Sequence, residues 1–120
     1  MDLQSKKILM ADDSAFMRNV LKNILENAGF SQFLEAENGV QALEMIKSEK
    51  PDLVLLDLIM PEKGGVDVLK EVGNTQKILI VSAVGQDSIM KEAMGFGALG
   101  FIVKPFDNAL VVEAVKKALS

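Results

Sequence analysis

Leu53-Val54-Leu55-Leu56-Asp57 is the stretch on which the fold turns: four aliphatic residues in succession, then a carboxylate. A run that is apolar at every position, rather than at every second one, fits a strand covered on both faces. Parallel sheets with helices on each side are built that way. Three other runs have the same form. Ile8-Leu9-Met10-Ala11 leads into Asp12-Asp13, Ile78-Leu79-Ile80-Val81 into Ser82, and Phe101-Ile102-Val103 into Lys104-Pro105. A shorter run, Phe33-Leu34, is expected to form a fifth strand near an edge.

Helical patterns separate the runs. Met17, Val20, Leu21, Ile24, Leu25 and Ala28 recur at steps of three and four and make one apolar stripe. Asp13 or Ser14 suits the start of that helix and Gly29 its stop. Asn38 followed by Gln41 resembles a capping box for a helix carrying Val40, Leu43 and Ile46, which Lys50-Pro51 ends. Gly64-Gly65 opens a short helix holding Val66 and Leu69, and another is expected from about Asp87 to Met94. The last starts near Asp107 and is expected to bury Val111, Ala114, Val115, Ala118 and Leu119. Strand and helix therefore alternate, and right-handed crossovers make every strand parallel to the last. In such α/β sheets ligands bind beyond the carboxyl ends of the strands. Asp12, Asp57, Ser82 and Lys104 all fall at those ends.

Composition narrows the chemistry. The 120 residues are expected to form a single domain, 1–120, and 49% apolar content supports a real core. Without Cys or His there is no disulfide framework, no thiolate site and no imidazole base or ligand, so a bound metal should be hard and oxygen-ligated. A net charge of −4 argues against nucleic-acid binding. Aliphatic runs this short do not span a bilayer, and Met1-Asp2-Leu3-Gln4-Ser5 is no signal peptide. A cytoplasmic protein is the expectation.

Two like charges about 4 Å apart repel by roughly 4 kcal/mol at an effective dielectric near 20. If Asp12, Asp13 and Asp57 converge, they call for a cation, and Mg²⁺ suits oxygen ligands of this kind. Lys104 adds an ammonium that can bind a phosphoryl oxygen, and Ser82 a hydroxyl that can do the same. Pro105 holds Lys104 extended and opens the option of a cis peptide bond. Carboxylate, Mg²⁺ and lysine together suit phosphoryl transfer through an aspartyl phosphate.

Asp12-Asp13, Asp57, Ser82 and Lys104-Pro105, in this order and spacing, resemble the receiver domain of two-component response regulators. The resemblance covers nearly the whole chain and includes Asp13-Ser14-Ala15-Phe16-Met17-Arg18, Ala36-Glu37-Asn38-Gly39, Asp57-Leu58-Ile59-Met60-Pro61 and Lys104-Pro105-Phe106. It is strongest to the stand-alone regulators of chemotaxis. It implies a flavodoxin-like (βα)5 fold with strand order 2-1-3-4-5. It implies that Asp57 accepts a phosphoryl group from a histidine kinase. Asp13 would be the main side-chain ligand of Mg²⁺ (or Mn²⁺), with Asp12 acting through water, and Asp57 and the Ile59 backbone carbonyl completing the set. Ser82 and Lys104 would hold the phosphoryl oxygens. Ser82 and Phe101 would form the switch, and Lys91, Phe101, Val112 and Lys116 would contribute to an output face of helix 4, strand 5 and helix 5. Partners by resemblance are the kinase, a flagellar motor switch component or another downstream protein, and a phosphatase, with the chain a monomer. It would be no turnover enzyme, catalysing only its own phosphorylation and slow dephosphorylation.

The chain departs from the family pattern in places. Phe101 lacks the frequent Tyr hydroxyl, Gly64 replaces a polar helix cap, and Gly65 to Ser82 is a few residues short. Ile59 and Val84, two residues after Asp57 and Ser82, are apolar and cannot orient an attacking water, so slow self-dephosphorylation is expected. Gly95-Phe96-Gly97-Ala98-Leu99-Gly100 matches G-x-G-x-x-G, but it follows a helix instead of a strand and reads as a tight turn. A receiver acting within a larger regulator or phosphorelay is an alternative. A Mg-dependent aspartyl-phosphate hydrolase is disfavoured, because Ile59 stands where such enzymes place a general acid. A flavodoxin-like cofactor binder would need a phosphate loop where acidic Asp12-Asp13 stands.

Overall fold

The computed structural model describes residues 2–83 and 85–120. Five parallel strands form one sheet in the order β2-β1-β3-β4-β5. They are β1 (Lys7–Ala11), β2 (Gln32–Ala36), β3 (Leu53–Leu56), β4 (Ile78–Ser82) and β5 (Gly100–Val103). Helices α1 (Ala15–Asn27), α2 (Gly39–Glu49), α3 (Gly65–Val72), α4 (Asp87–Gly95) and α5 (Asn108–Leu119) follow them in turn, after a 3-10 turn at Leu3–Ser5.

The inner strands are apolar at successive positions because both faces are covered. Leu9, Ala11, Val54, Leu56, Ile78 and Ile80 pack against α2, α3 and α4. Ile8, Met10, Leu53, Leu55, Leu79 and Val81 face α1 and α5. At the edge, β2 keeps exposed Gln32 and Glu35, which explains why only Phe33-Leu34 reads as apolar.

Ser14, not Asp13, caps α1: its Oγ accepts from the Met17 amide at 3.1 Å. Asn38 Oδ1 accepts from the Gln41 amide at 2.8 Å, and Gln41 Oε1 accepts from the Glu37 amide at 2.9 Å. The expected box is therefore present, displaced by one residue on its return arm. Gly64 offers α3 no side-chain cap. Gly97, at φ 109, turns the chain out of α4 where an added Cβ would strike the Gly73 carbonyl. The glycine-rich stretch thus closes a helix against a neighbouring turn.

Expected core faces are shifted in α2, α3 and α5. Val40 is 41% exposed, and α2 instead buries Gly39, Ala42, Leu43 and Ile46. Small residues let this helix lie close to its neighbours, so Val40 turns outward. In α3 the buried pair is Val68 and Leu69, with Val66 half-buried. Ala114 and Ala118 of α5 are likewise half-buried beside buried Val111, Val115 and Leu119.

These faces set different mutational costs. Leu56→Ala removes a side chain with no solvent exposure and is expected to cost about 3 kcal/mol. Val40→Ala is expected to change stability by less than about 0.5 kcal/mol. Urea unfolding followed by far-ultraviolet circular dichroism reads both, since the chain has no Trp or Tyr. Equal losses would contradict the assignment of α2's outer face.

Candidate functional site

The hydrogen-bond ladder of the sheet continues one residue past its strands. The Asp12 amide donates to the Ala36 carbonyl at 3.0 Å, and the Asp57 amide to the Ala11 carbonyl at 2.9 Å. The Lys104 amide donates to the Ser82 carbonyl at 2.9 Å. Asp12, Asp57 and Lys104 are consequently fixed by backbone to the neighbouring strand, and Ser82 is the last residue of β4.

Their side chains meet. Lys104 Nζ donates to Asp12 Oδ2 at 2.7 Å and to Asp57 Oδ2 at 3.0 Å, bridging the two carboxylates. Ser82 Oγ donates to Asp57 Oδ1 at 2.7 Å, and the Ile59 amide donates to the same oxygen at 3.1 Å. Asp12 Oδ1 accepts from the Ser14 amide at 2.9 Å. Asp12, Asp57 and Ser82 are buried, whereas Asp13 is exposed. Burial, the largest single influence on the Lys104 ammonium, pulls its pKa down. The hydrogen bonds and charges of Asp12 and Asp57 outweigh it, and the net shift is upward from 10.5.

Asp12, Asp13 and Asp57 each present a carboxylate oxygen, all within 4.8 Å of one another. Three carboxylates and one ammonium leave a formal charge of −2, which a divalent cation would cancel. The donors are hard oxygens, and Asp13 lies open to solvent, so the set fits a cation that retains waters. The expected convergence of Asp12, Asp13, Asp57, Ser82 and Lys104 is therefore present.

The remaining candidates make none of these contacts, apart from Ile59. The Lys104–Pro105 peptide bond is cis. Ile59 follows Asp57 by two residues and is 62% exposed. Phe101 is half-buried in β5, paired in register with Ile80 and packed on the α2–α4 side of the sheet. Lys91 and Lys116 are exposed and Val112 half-buried. Val84 lies outside the described residues.

Arg18 is the residue that sequence reasoning left without a role. It is 7% exposed, and its Nη1 donates to the Asp12 carbonyl at 2.6 Å while Nε bonds Glu35 Oε1 at 2.8 Å. It ties α1 and β2 to the exit of β1. A signal existed: Arg18 lies three residues before Leu21 and seven before Leu25, inside the apolar stripe. A guanidinium on a buried face implies partners.

The chain belongs to the response regulator receiver domain family, whose pattern matches residues 8–116. It is 46% identical to the chemotaxis protein CheY of Thermotoga maritima, over 93% of this chain and 96% of that one. It is equally similar, 46%, to the chemotaxis protein CheY of Bacillus subtilis, over 95% of this chain and 98% of the relative. The crystal structure of the CheX-CheY-BeF3-Mg complex from Borrelia burgdorferi includes a chain that superposes with a TM-score of 0.90 at 31% identity, covering 96% of this chain and 90% of that one.

Lys104→Met would leave Asp12 and Asp57 facing each other without their shared cation. It is expected to cost about 3 kcal/mol near neutral pH. Because the folded pKa of Lys104 lies above 10.5, its contribution is complete below that value and is lost as pH rises through the folded value. The stability gap between wild type and Lys104→Met should therefore stay constant from about pH 8 to 10 and narrow above roughly 10.5. A gap that closes below pH 9 would show that the ammonium does not hold the pair.

Proposed function

We propose that this chain is a single-domain, phosphoryl-accepting response regulator working in chemotaxis or motility signalling. The observation that carries the reading is the continuous contact Ser82–Asp57–Lys104–Asp12, a nucleophilic carboxylate between a hydroxyl and an ammonium. One Asp57 oxygen attacks the phosphorus of a kinase phosphohistidine. A P–O bond forms, the P–N bond breaks, and the imidazole leaves with the electron pair.

Asp12, Asp13, Asp57 and the Ile59 carbonyl would hold Mg²⁺, or Mn²⁺ in its place, supported by the cluster of hard oxygen donors. The ion would supply positive charge for the phosphoryl oxygens. Lys104 would exchange its bond to Asp57 for one to the product, and Ser82 would turn from Asp57 Oδ1 to a phosphoryl oxygen. Movement of Ser82, buried at the end of β4, would free Phe101 on β5 to change its packing. Phe101 also lines a cavity of about 510 Å³ with Ile102, Leu110, Ala114 and Lys117. Changed packing of Phe101 would alter the face of α4, β5 and α5.

On this reading the protein is a cytoplasmic monomer and a switch, not a turnover enzyme. Its partners are a histidine kinase, a phosphatase and a downstream protein such as a flagellar motor switch component. Relatives named as chemotaxis proteins at 46% identity favour that pathway.

Acetyl phosphate with Mg²⁺ is expected to label wild type, with labelling abolished by EDTA and by Asp57→Asn. Equal labelling of Asp57→Asn would remove the acceptor assignment. Aliphatic Ile59 cannot orient water, so the labelled protein should persist far beyond a few seconds without a phosphatase. Ile59→Asn, which adds a hydrogen-bonding side chain, is expected to shorten that lifetime about tenfold, measured by loss of label after removal of the donor. An unchanged lifetime would show that this position does not limit water attack.

A further inference from the structure

Residues 59–64, the outer part of the loop from β3 to α3, begin with Ile59, and their conformation is constrained from two sides. Within it Glu62 has φ 66, and the Lys63 amide donates to the Pro61 carbonyl at 2.8 Å. At its α3 end, the Gly65 amide donates to the Leu58 carbonyl at 3.0 Å. A Cβ on Gly65 would overlap the Asp57 carbonyl and stand 2.7 Å from Leu58 Cα. At its middle, the loop rests on α2. A Cβ on Gly39 would overlap the Lys63 carbonyl oxygen and stand 2.7 Å from both Lys63 C and Cβ.

The other side of this seat is firm. Gly39 is buried in the first turn of α2, between Asn38, which accepts from the Gln41 amide, and Gln41, which accepts from the Glu37 amide. The Ala42 amide donates to the Asn38 carbonyl at 3.0 Å. The atoms that a new Cβ would strike include loop backbone, which cannot swing aside as the tip of a long side chain can. With α2 capped and Gly65 already against Asp57, displacement falls on residues 59–63.

We propose that Gly39 is a positioning residue for the metal site. The absence of a Cβ on α2 lets the β3–α3 loop seat with Lys63 against the helix, and that seat sets where the Ile59 carbonyl stands relative to Asp57. This rests on the reading of Asp12, Asp13, Asp57 and Ile59 as the Mg²⁺ site. It makes the first turn of α2, which contributes no ligand, a determinant of metal affinity.

The test is a Mg²⁺ titration of wild type, Gly39→Ala and Gly95→Ala, read from backbone amide shifts in ¹H–¹⁵N spectra, with thermal unfolding run on the same samples. Gly95 is the control, since nothing lies within 4 Å of a Cβ there. Wild type and Gly95→Ala should bind alike, and Gly39→Ala about tenfold more weakly, in line with losses of outer metal-site supports. The half-saturating Mg²⁺ for acetyl phosphate labelling should rise by the same factor, with the maximal rate recovered at high Mg²⁺. If Gly39→Ala is folded but binds Mg²⁺ like wild type, the glycine serves packing alone and the proposal is overturned. If Gly39→Ala does not fold, Asn38→Ala/Gln41→Ala loosens the seat without adding atoms. Mg²⁺ affinity then falls in that variant, or the proposal is overturned. If wild type itself shows no Mg²⁺-dependent shifts, the metal-site reading fails first, and the proposal falls with it.

Discussion

The parallel register of the sheet is the constraint on which the acidic edge depends. Because β1, β3 and β4 run side by side in one direction, their last residues arrive at one edge together. The ladder then runs one bond further, with Asp12 on Ala36, Asp57 on Ala11 and Lys104 on Ser82. Asp12, Asp57 and Lys104 therefore leave a backbone that has already lost its freedom. A cluster of like charges could not be assembled on flexible loops without spreading apart. Here the sheet's hydrophobic burial on both faces opposes that repulsion.

Lys104 completes the balance. Two buried carboxylates carry a desolvation cost that falls only when a cation and hydrogen-bond donors reach them. The ammonium contacts both Asp12 and Asp57, while Ser82 and two backbone amides supply the remaining donors. Among the described residues no buried side-chain polar atom lacks a partner. The same groups that stabilise the resting carboxylates are those a transferred phosphoryl group would need. On the proposed reading, one set of groups would serve both the resting carboxylates and the product.

Much of this was legible in the sequence, and the reasons are specific. Continuous apolarity marked β1, β3 and β4 because both their faces are covered. The polar group closing each run then marked the edge where the site assembles. Val40 misled because hydropathy cannot see that Gly39 sits where a Cβ would strike Lys63: a glycine at a tight helix contact looks like no core residue at all. Arg18 was hidden because its acceptors, the Asp12 carbonyl and Glu35, lie in other elements. Individual bonds, such as Ser82 to Asp57 and the displaced return arm from Gln41 to Glu37, depend on rotamers and on register. Residue order alone does not carry these.

The contact between Gly39 and Lys63 bears on how such domains can be recombined. If the contact of Gly39 with Lys63 seats the loop as proposed, a loop shaped by a helix some twenty residues before it is not a self-contained module. Transplanting residues 59–64 from another receiver would import a curve moulded on that protein's α2. Exchanging α2 alone would leave the native loop against a foreign surface. The smallest unit that can be moved intact joins the first turn of α2 to the β3–α3 loop, two segments separated in the chain but continuous in space.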